Sequence, residues 1–309
     1  MKILCFLVCL GYGQGFLGSS GQSVAPFVEK PNTAYKNALL GAGLENHWGA
    51  SVSHPSIRPI SNYLHTSIQL DAFAGKSLFA QGLLLFNPQH QFQFHIQYQD
   101  NGQVIEVDEN NFLTGRSHNP GHASTGVAWG YQGKEYNLGL SMQAFTQRLT
   151  EEGVASFGAS FSPEVFWEKP WGQVLIGIQN IGLFYRDFDY NRVSTKHLPT
   201  KAQILFSKPI FSKRMQWQSA YYYGLWTPFQ SAQGLSYQLS RILKIHGALH
   251  LDYSLWKRWV EKQDTNPDFH TLGALGASLK TQQFLGQYAI RILNEWVGIE
   301  HNLSLQFDW

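Results

Sequence analysis

The sequence predicts an all-β chain: a transmembrane antiparallel up-and-down β-barrel of about fourteen strands, preceded by a short N-terminal helical or plug segment. Three observations predict it. From about Tyr63 onward, apolar and polar residues alternate with period two in runs of roughly ten, separated by Gly, Pro, Asn, Asp and Ser. Charged residues make up only 14% of the chain while aromatics reach 15%, so something other than a charged surface must keep it dispersed. The last run ends on an aromatic, with Leu305, Phe307 and Trp309 on one face, as a C-terminal barrel-assembly signal does.

The alternation is clearest in Gln91 to Gln99. There Phe92, Phe94, Ile96 and Tyr98 share one face, and Gln91, Gln93, His95 and Gln97 share the other. Lipid is expected to meet the first set and the lumen the second. Tyr136 to Phe145 and Asn302 to Trp309 repeat the pattern. Candidate strands lie near 63–73, 77–87, 90–100, 121–131, 135–147, 153–166, 171–181, 199–208, 214–226, 233–240, 243–253, 271–280, 283–293 and 299–309. Their lengths suit tilted bilayer-crossing strands better than the five or six residues usual in soluble sheets. Short links such as 87–89 and 133–134 are expected as turns on the periplasmic side. Residues 101–120, 186–198 and 257–270 are expected as long extracellular loops. These three follow the third, seventh and eleventh runs, all odd, as an up-and-down barrel with both termini periplasmic requires.

Ahead of the barrel, Met1-Lys2 and the apolar run Ile3 to Leu10 lead into small residues around Gly13 and Gly15, which reads as a signal peptide cleaved after one of those glycines. The predicted units are therefore 1–15 signal peptide, 16–60 plug or periplasmic segment, and 61–309 barrel. Both cysteines, Cys5 and Cys9, fall inside the signal, which excludes a disulfide scaffold or thiol chemistry in the exported chain. The 23 basic residues include Lys2, so 22 would face 21 acids after cleavage, leaving no electrostatic footprint for nucleic acid. Within 16–60, Pro31-Asn32-Thr33 precedes Ala34 to Leu40 and Gly41, a short helix with a cap-like start and a glycine stop.

The twelve histidines are scattered through the alternation rather than clustered as catalytic or metal-binding patterns require. His246 and His250 share one strand face without the spacing to touch, and a satisfied lumenal histidine explains each better than a metal ligand does. His65 beside Thr66-Ser67 is too generic to define a triad. No H-E-x-x-H, G-x-S-x-G or phosphate-binding glycine loop occurs, and the expectation is a non-enzyme without metal or cofactor. Tyr221-Tyr222-Tyr223, Trp226, Trp256 and Trp259 are expected in an interfacial girdle, with Lys257-Arg258 close to lipopolysaccharide phosphates or merely solvated.

Several motifs, in order, resemble one family. They are the segment Val28 to Gly41 with Pro31, Asn32 and Ala34; His54-Pro55-Ser56-Ile57, where the family has an Asn-Pro-Ala-like turn; Gly126 to Gly130; Gln179-Asn180-Ile181-Gly182; and Leu198-Pro199. Over nearly its whole length the chain resembles the PorQ-type outer-membrane proteins of the type IX secretion system, relatives of the PorV proteins and, more distantly, of FadL-like barrels. His54 stands where the family has Asn, and Trp309 where barrels usually end in Phe. The resemblance implies a non-catalytic protein of a Gram-negative outer membrane. It would anchor PorZ-, PorU- and PorV-like partners for protein secretion and cell-surface attachment. The alternative is a FadL-like transport barrel for hydrophobic or small solutes.

Overall fold

The computed structural model describes residues 33–45, 48, 50–70, 76–100, 104–107, 113–118, 121–148, 156–189, 192–198, 200–224, 229–252, 271–293 and 299–309. The expected signal peptide (1–15), Pro31, Asn32, Pro199, Trp226 and the expected loop 257–270 lie outside them. Among the described residues eighteen strands run in chain order: β1 Tyr63–Leu70, β2 Lys76–Leu85, β3 His90–Asp100, β4 Val104–Val107, β5 Leu113–His118, β6 Gly121–Gln132, β7 Asn137–Arg148, β8 Ser156–Lys169 and β9 Gly172–Gln179. There follow β10 Ile181–Asp189, β11 Arg192–His197, β12 Lys201–Ile210, β13 Ser212–Gly224, β14 Gln230–Gln238, β15 Leu243–Asp252, β16 Thr271–Lys280, β17 Phe284–Leu293 and β18 Ile299–Asp308.

Fourteen of these close into one antiparallel barrel. Each pairs with its neighbours in sequence, β18 returns to β1, and β9 lies between β8 and β12. Among the described residues the fourteen closed strands leave no unpaired edge, the condition for crossing lipid. No described helix is long and apolar enough to cross a membrane.

The expected faces are observed. Phe94 is 52% exposed and Gln93 only 4%, and Phe92, Ile96, Leu303 and Phe307 face outward opposite buried Gln91, Asn302, Ser304 and Gln306. The short links lie at the end of the barrel that holds both the entry to β1 and the chain terminus, where the Trp309 N–H donates to the Asn62 carbonyl (3.1 Å). Aromatics gather on the outer wall near that end: Trp129 with Tyr131, and Trp171 with Phe206, stack, while Phe284 packs on Phe307. They form a girdle at one membrane interface.

Two expected loops are more ordered than the sequence suggested. Within 101–120, β4 and β5 form a separate hairpin. The segment 186–198, expected as a loop, instead continues the wall: β10 pairs with the first half of β8 and with β11. Strands beyond the bilayer need no apolar face, so polar residues at both parities hid this hairpin. The girdle assignment also fails for Tyr222, which packs inward against the lumenal core while Tyr221 stacks outside on Phe229.

The lumen holds the segment that precedes β1. Helix α1 (Ala34–Ala38) is shorter than the run to Gly41 suggested. It starts where Thr33 Oγ1 accepts the Lys36 N–H at 3.1 Å, an N-cap bond, and ends in left-handed Leu40 and Gly41. Tyr35, Leu39, Leu44, Trp48 and Ile57 form a core with inward residues of the wall, among them Phe166, Leu175, Leu205 and Leu285. Opposite α1 the wall narrows to small residues: Ala232, Gly234, Ala248, Ala274, Gly276 and Ala289 face inward side by side. A Cβ on Gly276 would lie 2.5 Å from the Ala38 Cβ and 2.8 Å from the Tyr288 carbonyl oxygen. Gly276→Val is therefore expected to overpack this seat by about 1–3 kcal/mol. The measurement is limited proteolysis: cleavage within 33–60 should appear while the barrel keeps its heat-modifiable gel mobility.

Candidate functional site

The plug beyond α1 is mostly irregular, and its backbone groups need partners that it cannot supply itself. The wall's inward glutamines supply them. Gln91 Nε2 donates to the Pro55 and Ile57 carbonyls, Gln93 Nε2 to Ser51 (3.0 Å) and Gln287 Nε2 to Trp48 (2.8 Å). Side chains read from the sequence as facing the lumen therefore hold the plug within it. The Ala34 N–H, at the first turn of α1, donates to Ser304 Oγ at 2.7 Å.

Two buried carboxylates organise the contact. Glu45 lies in the plug, and its carboxylate accepts from Gln218 Nε2 (2.9 Å) and pairs with Lys244 of β15. Lys244 is 3% exposed, Glu45 10%, and the ammonium also sits over the Trp48 ring, 5.5 Å from its centroid. The Glu45 and Leu44 N–H groups donate to Tyr35 Oη and Gln218 Oε1, each at 3.1 Å. Burial, and then the Glu45 charge, push the Tyr35 phenol well above its ordinary range, so it stays a neutral donor and acceptor. From Gln218 the network runs through Ser236 to His246, whose Nδ1 lies 2.9 Å from Ser236 Oγ and whose Nε2 lies 2.9 Å from Ser278 Oγ. Gln287 then leads back to Trp48.

The second carboxylate, Glu164 of β8, is the seat for the turn at 54–56. Its Oε1 accepts the Ser56 N–H (2.8 Å) and hydroxyl (2.7 Å), and its Oε2 lies 3.0 Å from His54 Nδ1. His54 thus places a ring nitrogen on a wall carboxylate, and with Pro55 and Asn180 it lines a small lumenal cavity of about 130 Å³.

Of the motif residues, Ala34 begins α1, and left-handed Gly41 passes so close to Tyr222 Oη that a Cβ would sit 2.3 Å from it. Asn180 is left-handed too (φ 58°), but it lies within the wall, between β9 and β10, where its N–H donates to Ser162 Oγ at 3.0 Å. Gly182 allows a close approach of strands, since a Cβ there would lie 2.0 Å from the Ala159 carbonyl oxygen. Leu305 and Phe307 face outward on β18. His246 is a wall residue held by two serines, and His65 is buried against Phe79. Among the described residues no group of three or more His, Cys, Asp or Glu side chains could hold a metal. Glu45, Gln218, Lys244 and Glu164 escaped the sequence reading. The available signal was a charge at an inward position of an otherwise neutral run, as at Lys244 and Glu164.

Fold and lumen together define a class: a closed fourteen-stranded membrane barrel with an N-terminal plug. No protein-family model matches the chain, and no curated protein matches it in sequence. Among solved structures it is similar to a deltaS2S3 mutant of the monoaromatic hydrocarbon channel TodX, with a TM-score of 0.61 and 8% identity, over 90% of this chain and 99% of that one. It is also similar to the P. putida toluene transporter TodX, with a TM-score of 0.57 and 9% identity, over 90% of this chain and 98% of that one. At such identities the likeness shows the fold alone, a closed antiparallel β-barrel.

Proposed function

We propose that this chain is a non-catalytic outer-membrane transport barrel for small solutes, with the segment from Thr33 to Ile60 closing its lumen. The observation that carries the reading is a barrel whose lumen is occupied by the described residues of the N-terminal segment between 33 and 60. That segment is fastened to inward Gln, Ser, Glu and Lys side chains, so a path opens when it moves. The polar character of those inward positions favours small polar solutes over hydrocarbons.

The test is a cross-link. Ala34→Cys with Ser304→Cys joins α1 to β18 where backbone and side chain already meet. In liposomes the reduced protein is expected to admit small sugars and the oxidised protein to exclude them. A chain that admits no solute when reduced, nor when its plug is loosened by Lys244→Ala, rejects the reading.

A second reading is a type IX secretion component of PorQ type that holds PorZ-, PorU- or PorV-like partners. It is supported by the ordered hairpins β4–β5 and β10–β11 on the loop side and by the motif residues His54, Pro55 and Asn180, which line one cavity by the plug. Partners that co-purify from the outer membrane and are lost when residues 104–118 are replaced by a short linker would support it. Unchanged secretion and surface retention of cargo without the gene would exclude it.

A further inference from the structure

The turn-side mouth contains a feature that plug closure leaves unused. Between the plug and the short turns lies a cavity of about 900 Å³. Six cationic side chains line it: Arg58, Lys169, Lys213, Arg241, Lys244 and Lys280. They come from separate elements: Arg58 from the plug, Lys169 from the end of β8, Lys213 from the start of β13, Arg241 from the link before β15, Lys244 from β15 and Lys280 from the end of β16. Two carboxylates share the lining, and both are engaged: Glu45 with Lys244 and Gln218, and Glu168 as acceptor from Gln173 Nε2 at 3.1 Å. Six cations against two carboxylates leave an excess of four, or of three when Asp308, which acts on Lys280, is counted. The whole chain carries a formal charge of only +2, so this one mouth holds more positive charge than the rest of the molecule nets.

A concave site with low-dielectric walls and charge of one sign concentrates counter-ions. This volume matches sites for small organic ligands. Gln132, Asn137, Gln216 and Gln238 stand among the cations and can bond hydroxyl or further oxyanion groups. A single carboxylate would use one or two of the cations, whereas several oxyanion groups on one small molecule would use the set.

We propose that the turn-side mouth is a binding site for small multivalent oxyanions, phosphate esters or polycarboxylates, gripped by Lys169, Lys213 and Arg241 at the rim. The site stands whether or not the barrel conducts, because occupancy is read without flux.

The experiment is calorimetric titration of the full chain in detergent at low salt with pyrophosphate, with citrate, and with acetate and glucose as monovalent and neutral controls. Pyrophosphate, citrate or both are expected to bind well above acetate, with affinity falling as salt rises. Binding of one alone assigns the ligand to phosphates or to polycarboxylates. The triple variant Lys169→Gln, Lys213→Gln, Arg241→Gln alters exposed turn residues, and its folding is checked by heat-modifiable mobility. It is expected to weaken binding by about tenfold or more. A wild-type chain that binds neither polyanion, or a folded triple variant that binds both as well as wild type, overturns the proposal.

Discussion

Lys244→Ala is expected to detach the plug while leaving the barrel standing. The substitution removes the only ammonium paired with Glu45 among the described residues and leaves that carboxylate buried with Gln218 and Tyr35. Removing one partner of a buried pair costs about 3–5 kcal/mol, because the other charge stays desolvated and uncompensated. The loss falls on contacts between plug and wall, since β15 keeps its pairing with β14 and β16. Rapid proteolysis within 33–60, with an unchanged heat-modifiable barrel, is the outcome to look for. Combining Glu45→Gln with Lys244→Met should recover much of the protection, because a neutral pair needs no counter-charge. If Lys244→Ala leaves the segment as resistant as wild type, the ion pair is not what fastens it.

Glu164→Ala is expected to have the next largest effect, on another strand of the wall, β8. Three groups converge on this carboxylate: the Ser56 N–H, the Ser56 hydroxyl and His54. Each buried polar group left without its partner costs about 1–3 kcal/mol, so the turn at 54–56 should open locally. Glu164→Gln keeps an amide oxygen for Ser56 and should lose less. Hydrogen exchange over 50–57 distinguishes them: fast exchange in the alanine variant, intermediate in the glutamine variant, slow in wild type. Equal protection in all three would show that the turn is held by Gln91 and Gln132 instead.

The wall was readable residue by residue because lipid and lumen impose opposite demands on successive positions, and Gln91 to Gln99 records both. What the alternation could not show was the object those inward side chains face. A glutamine that bonds a plug carbonyl and one that faces water look the same in a sequence. The seat of α1 was equally hidden, since Ala248, Ala274 and Gly276 lie on strands that are neighbours in space and read in the sequence only as small residues. The helix start itself was legible, because Thr33 caps locally. Its end at Ala38 was not, because Leu39 and Leu40 turn into the lumenal core instead of extending the helix.

The position of α1 has a consequence for assembly. The helix packs on β15 to β18, and its first N–H reaches Ser304, 270 residues further along the chain. Contacts of such sequence separation form late, after the intervening chain is ordered. The earliest part of the described chain to leave the ribosome is thus among the last to find its place. Until β18 has met β1, Tyr35, Leu39 and Leu44 have no complete surface to bury against, and a nascent barrel must shelter them in some other way.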